Sequence, residues 1–116
     1  MRWLTTMTLA LGLLLAGPAL AAGGPRYDVP PGFTRCPNAV AWHGFFKWTS
    51  QRNTSCRAAG TFMRAYAARA GGSRMPHHVA GYDCRIHYWR NQDRDIYASR
   101  HVCVRRAVTI RFYGMV

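Results

Sequence analysis

Four cysteines, Cys36, Cys56, Cys84 and Cys103, constrain this chain of 116 residues more than any other feature, provided that they are oxidised. The start of the chain bears on that condition. Arg2, the apolar run Leu9 to Leu15 and the small-residue triplet Ala19-Leu20-Ala21 follow the three-part layout of a secretory signal peptide, which would be removed as residues 1–21. The apolar core around that run is about a dozen residues against the roughly 20 that cross a bilayer, so no transmembrane anchor is expected after cleavage. No cysteine follows the cleavage site directly, so lipid anchoring there is not indicated. Export delivers the chain to an oxidising setting, extracellular or in the cell envelope, where an even number of cysteines reads as disulfides.

Residues 22–32 contain Gly23-Gly24-Pro25 and Pro30-Pro31-Gly32, which resist regular structure and suggest a flexible leader. Residues 33–116 are then enough for one domain, whose core is small enough that covalent staples matter. Ala39 to Trp42 and Phe45 to Thr49 read as two short strands joined at Gly44. Ser55 is a good N-cap, and Cys56, Ala59, Met63, Tyr66 and Ala70 recur at helical spacing until Gly71-Gly72. Arg57 and Arg64 lie on the opposite side of that helix. After Pro76 the period becomes two: Tyr82, Cys84, Ile86 and Tyr88 alternate with Asp83, Arg85 and His87. Asn91 to Arg94 reads as a polar turn, Ile96 to Val104 as the partner strand, and Val108 to Phe112 as a last strand. The expected fold is α+β, one amphipathic helix packed on an antiparallel sheet in the order β-β-α-β-β-β.

Cysteine count alone leaves the pairing open. A turn near Gln92 to Arg94 sets Cys84 nearly opposite Cys103, which favours Cys84 with Cys103 and Cys36 with Cys56. The rival joins Cys36 to Cys103 and Cys56 to Cys84. A metal site is disfavoured because no Cys-x-x-Cys, His-x-His or His-x-x-x-His spacing occurs, and no cofactor motif is present.

Charge points to partners. There are 16 Lys and Arg against 4 acids, a net charge of +12; the acids are Asp28, Asp83, Asp93 and Asp95, with no Glu, and Lys47 is the single lysine. Such a chain attracts an anionic polymer or an acidic protein, with Arg57, Arg64, Arg85, Arg105 and Arg106 as candidate anion-binding residues. High-GC codon usage would also fill a solvated surface with arginine, though it does not explain the missing Glu. Trp42, Phe45, Phe46 and Trp48 read first as core filling and second as a stacking platform. Trp89, on the polar face with Arg85 and His87, is the aromatic expected at the surface.

Catalytic signals are thin. His77-His78, with His43, His87 and His101, could supply acid–base cleavage of a phosphodiester only if two converged, and no spacing forces that; solvated loop histidines are the plainer reading. No Gly-x-Ser-x-Gly or phosphate-cradling glycine loop is present. Two other functions remain as alternatives: an inhibitor of an extracellular enzyme, inserting the loop from Gly71 to Gly81, and a small histidine-dependent phosphodiester hydrolase. A non-catalytic secreted binding domain is the leading expectation.

Thr54-Ser55-Cys56-Arg57-Ala58-Ala59, Gly81-Tyr82-Asp83-Cys84-Arg85 and Cys103-Val104-Arg105-Arg106, before a closing Val-x-Ile-x-Phe strand, together resemble a group of small exported proteins of high-GC actinobacteria. The resemblance covers roughly Arg35 to Gly114 and implies export, disulfides and this architecture, but no activity. Arg106 stands where that group usually places Gly. The arginine-rich composition also looks bacterial, where the sequon Asn53-Thr54-Ser55 has no role.

Overall fold

The structure, a computed structural model, describes residues 23–71 and 74–115. The signal-peptide reading of residues 1–21, Ala22 and the helix-stopping role given to Gly72 lie outside the described residues. The elements are β1 (Thr34–Cys36), β2 (Phe46–Arg52), α1 (Cys56–Arg69), β3 (His78–Val79), β4 (Tyr82–Arg90), β5 (Ile96–Arg105) and β6 (Val108–Met115). All six strands join one antiparallel sheet in the order β1-β2-β6-β5-β4-β3. The α+β fold is as expected, with two corrections.

Ala39 to Trp42 is not a strand. Trp42, His43 and Gly44 take φ of +53°, +53° and +82°, so the chain turns there, and only Ala41 forms a bridge, to Phe46. The first strand lies earlier, before Pro37. The second correction is an added strand, β3, which makes the order β-β-α-β-β-β-β. Ala80 and Gly81 between β3 and β4 both have positive φ, the pattern of a tight type I′ hairpin.

The helix begins where its chemistry requires. Ser55 has extended backbone, and its hydroxyl accepts from the Ala58 N–H at 3.0 Å, satisfying a donor that the first turn leaves open. Ala59, Phe62, Met63 and Tyr66 then point down onto the sheet, meeting Phe46, Ile110, Phe112 and both disulfides. Each large side chain buried here stabilises the fold by roughly 1.5–3 kcal/mol. Arg69 in the last turn complements the helix dipole.

The disulfides are Cys36–Cys56 and Cys84–Cys103, and among the described residues no cysteine is free. Cys84 is directly paired in register with Cys103 across the β4–β5 hairpin, while Cys36–Cys56 ties β1 to the start of α1. On β4, Tyr82, Cys84, Ile86 and Tyr88 share the helix side, leaving Asp83, Arg85 and His87 on the other.

Between β2 and β6 the register slips by one residue between Lys47 and Ser50. Trp48 is in that bulge, with φ +55°. The bulge lets Trp48 lie on the helix-free face while Phe46 and Thr49 remain in the core.

The two-residue turn between β5 and β6 carries a local cost. Arg106, at its first central position, has φ +53°, where a side chain is strained and glycine is not. Arg106→Gly should therefore stabilise the protein by about 1 kcal/mol, read as a higher denaturant midpoint with an unchanged slope. A lower midpoint would show that the arginine side chain contributes more than its backbone costs.

Candidate functional site

The strand registers define the helix-free face as a grid. One row across the sheet runs Arg85, Val102, Arg111, Ser50 and Arg35, from β4 through β5, β6 and β2 to β1. The row to one side is His87, Arg100, Tyr113 and Lys47; the row to the other is Asp83, Val104, Thr109 and Arg52. Every strand from β4 to β1 thus gives this face one arginine: Arg85, Arg100, Arg111, Arg52 and Arg35 in sheet order. With neighbouring strands about 4.8 Å apart, the series spans roughly 19 Å.

Aromatic rings support these guanidinium groups. Arg35 lies over Tyr27 at 4.6 Å and Arg100 over Trp89 at 5.7 Å, while Arg52 and Arg111 both lie against Phe33, at 5.3 and 5.9 Å. Each contact of this kind contributes about 0.5–1 kcal/mol at an exposed site and restricts a flexible side chain. The rings also pack on one another. Trp48 stacks on Tyr27 at 6.0 Å and meets Tyr113 at 5.6 Å, and Tyr113 stacks on Trp89 at 6.1 Å. Tyr113 is consequently only 1% exposed. Tyr27 belongs to the segment expected as a flexible leader, yet its hydroxyl donates to the Thr49 carbonyl, and burial raises its pKa.

Acidic partners are scarce on this face. Among the described residues the one contact between a basic side chain and a carboxylate is His78 with Asp83, at 2.6 Å and well exposed. Asp83 also stands at the rim of an open concavity of about 830 Å³ with Arg85, Arg105 and Arg106. The buried Nε of Arg111 and the buried hydroxyl of Ser50, its register partner, have no hydrogen-bond partner among the described residues. A guanidinium without a carboxylate and partly stripped of water is one whose energy falls when an anion arrives.

The five arginines singled out from sequence do not form one site. Arg85, Arg105 and Arg106 share the concavity just described. Arg57 and Arg64 are on the exposed side of α1, beside the Cys36–Cys56 bridge. Arg105 folds back over Tyr82 at 4.7 Å and donates to the Ala80 carbonyl at 3.1 Å, close to Arg57. Arg35, Arg52, Arg100 and Arg111 were missed; strand alternation, phased by the inward cysteines, would have found Arg100. Of the four aromatics read as core, only Phe46 is fully buried; Phe45 is half-buried and Trp42 is 42% exposed. Trp89, expected at the surface, is half-buried between Tyr113, His87 and Arg100.

Comparison with family models, curated proteins and solved structures returns no match.

The histidines separate into different roles. His77 approaches the Cys84 carbonyl and His78 approaches Asp83, so the adjacent pair does not converge. Residues 72 and 73 of the loop considered as an inhibitory element lie outside the described residues. His101 is not a solvated loop residue but a core one, with no exposure, stacked on Phe112 at 4.7 Å. Its Nε2 is 2.7 Å from the Ser99 hydroxyl and its Nδ1 is 2.8 Å from the Tyr66 hydroxyl.

That order of nucleophile, base and orienting group has the outline of a hydrolytic triad. Space argues against it: Ser99 is 2% exposed, and even one carbon added at Gly114 would come within 2.7 Å of the Ser99 hydroxyl oxygen. The three groups instead satisfy one another's hydrogen bonds inside the core. Inward alternation with Cys103 would have located Ser99 and His101 from sequence.

Burial pushes the His101 pKa down to about 3 from its ordinary 6.5. The folded protein resists a proton that the unfolded chain accepts, so the His101 contribution is fully present above pH 6.5 and is lost as pH falls towards 3. Stability should drop by roughly 1.4 kcal/mol per pH unit across that window, measured by urea denaturation. In His101→Gln that dependence should flatten; an unchanged slope would assign the acid sensitivity to other groups.

Proposed function

We propose that this protein is a small secreted, non-catalytic binding domain that holds an anionic polymer against the helix-free face of its sheet. The observation that carries this reading is the contribution of one ring-supported or exposed arginine by each of five neighbouring strands, on a face whose strand positions carry one acid, Asp83. Long-range attraction from the high positive charge speeds encounter, and the arginine series gives the contact its position. Export is supported by the signal-like start of the chain and by the two disulfides. Among the described residues no helix is long and apolar enough to cross a membrane.

Net charge alone would retain such a protein on any anionic matrix, so the test compares positions at equal charge. Arg85→Gln/Arg100→Gln/Arg111→Gln removes three charges from the sheet face, and Arg57→Gln/Arg64→Gln/Arg69→Gln removes three from α1. On a sulfated-polysaccharide column the sheet variant should elute at clearly lower salt. Its log affinity should also depend on log salt with a slope reduced by about 2–3, while the helix variant stays near the parent. Equal shifts for both variants would reduce the interaction to bulk charge and sink the proposal.

A further inference from the structure

We infer that a second copy of this chain docks on the open edge of β4, joining two sheets through an antiparallel β4–β4 pair. The interface lies beside the arginine series and does not depend on the polymer reading above.

The edge is open because β3 covers only the start of β4. His78 and Val79 pair with Asp83 and Tyr82, and the Cys84 N–H donates to the His77 carbonyl at 2.7 Å. Backbone groups alternate in direction along a strand, so the N–H and C=O of Ile86 and Tyr88 point the same way as those of Cys84, away from β5. Among the described residues nothing bonds to them. Their side chains are uncovered too: α1 packs over β1, β2 and β3, and Ile86 and Tyr88, on its side of the sheet, are half-buried outside the core cluster. An open hollow of about 320 Å³ follows the same edge, lined by Arg85, Ile86, His87, Arg100 and Val102. From Arg85 to Trp89 no proline or bulge turns the strand away from a partner.

Register selects the occupant. Two copies of one strand pair about a two-fold axis that passes through a residue, and three axes reach this edge. An axis at Ile86 needs Cys84, whose N–H and C=O are both engaged by His77, and sets Arg85 against His87. An axis at Tyr88 sets Ile86 against Arg90 and runs into the turn at Asn91. An axis at His87 meets neither obstacle. Ile86 and Tyr88 then exchange backbone bonds with Tyr88 and Ile86 of the second copy, and each half-buried side chain covers the other. On the helix-free face Arg85 stands opposite Trp89 and not opposite a cation. The edge is its own complement, a pattern that another protein's strand would have to match and that every copy of this chain carries.

The axis is perpendicular to the sheet, so both helix-free faces lie on one side and the two arginine series run end to end over roughly 43 Å. The contact is confined to one strand of each copy, well under the roughly 1,200 Å² of stable complexes, and both copies are strongly positive. The dimer is therefore reversible, forms at high micromolar concentration and strengthens as salt screens the repulsion.

Sedimentation of the mature protein alone at pH 8, from about 10 µM to 1 mM at low and moderate salt, would test this. Dimer should appear at the upper concentrations, and earlier at moderate salt. Ile86→Lys, which sets a charge opposite Tyr88, should weaken dimerisation at least tenfold, while Ala68→Lys, the same charge on the exposed side of α1, should stay near the parent. His87→Cys supplies a readout that needs no destabilised variant. Its two copies meet at a pair of Cα atoms about 4.5 Å apart and should oxidise to a dimer linked through position 87, with both native bridges intact by peptide mapping. Trp89→Cys should crosslink to Arg85→Cys and not to itself. A chain still monomeric at about 1 mM in moderate salt would overturn the inference and leave the edge to a strand of another protein. Equal weakening by Ile86→Lys and Ala68→Lys, or crosslinks that do not follow this register, would overturn it as well.

Discussion

Direct pairing of Cys84 with Cys103 across the β4–β5 hairpin is the constraint from which the two faces of the sheet take their identity. Side chains alternate with a period of two, so a slip of one residue would exchange the faces of a strand completely. A slip of β5 would carry His101 out of the core and Arg100 into it, and a slip of β4 would do the same to Tyr82 and Arg85. A covalent bond between register partners forbids that slip. It also closes a loop of moderate length, which on the chain-entropy account stabilises a fold of this size by about 3 kcal/mol. Here the bridge serves as much to set the phase of the charge pattern as to add stability.

The two faces solve opposite electrostatic problems. Beneath the helix, polar groups are made compatible with burial by pairing: Ser99, His101 and Tyr66 form one hydrogen-bonded series, and Thr49 donates to the Ala39 carbonyl at 2.7 Å. On the outer face, cations are kept without anionic partners, and rings moderate their cost. That division explains how a core can coexist with so basic a composition, because the excess charge stays on surfaces that water reaches.

How much of this was legible in the sequence depends on the range of the interaction. Ser55 as N-cap, the stripe Ala59, Met63 and Tyr66, and the alternation from Tyr82 to Tyr88 are local signals, and each corresponds to an observed element. The favoured disulfide pairing followed from a turn position that is also local. Ala39 to Trp42 misled because branched and aromatic residues suggest a strand, whereas left-handed backbone at Trp42 and His43 turns the chain. The arginine series was invisible in one dimension, since Arg35, Arg52, Arg100 and Arg111 become neighbours only after β6 inserts between β2 and β5. Arg57 and Arg64 were easy to notice for the reverse reason: a helix brings close residues in sequence together in space. Trp48 could not have been assigned to the outer face without knowing of the bulge that carries it there.

Tyr27 and Phe33 belong to no strand, yet three of the five sheet arginines lie against their rings. The backbone ladder and the buried side chains set where those arginines start, and two residues outside the regular structure set where their charges end. Geometry at the tips of Arg35, Arg52 and Arg111 is therefore adjustable separately from the scaffold. Exchanging a ring at position 27 or 33 would re-space the charges while every strand register and both bridges stayed in place, which gives the domain a route to altered ligand preference that does not pass through its core.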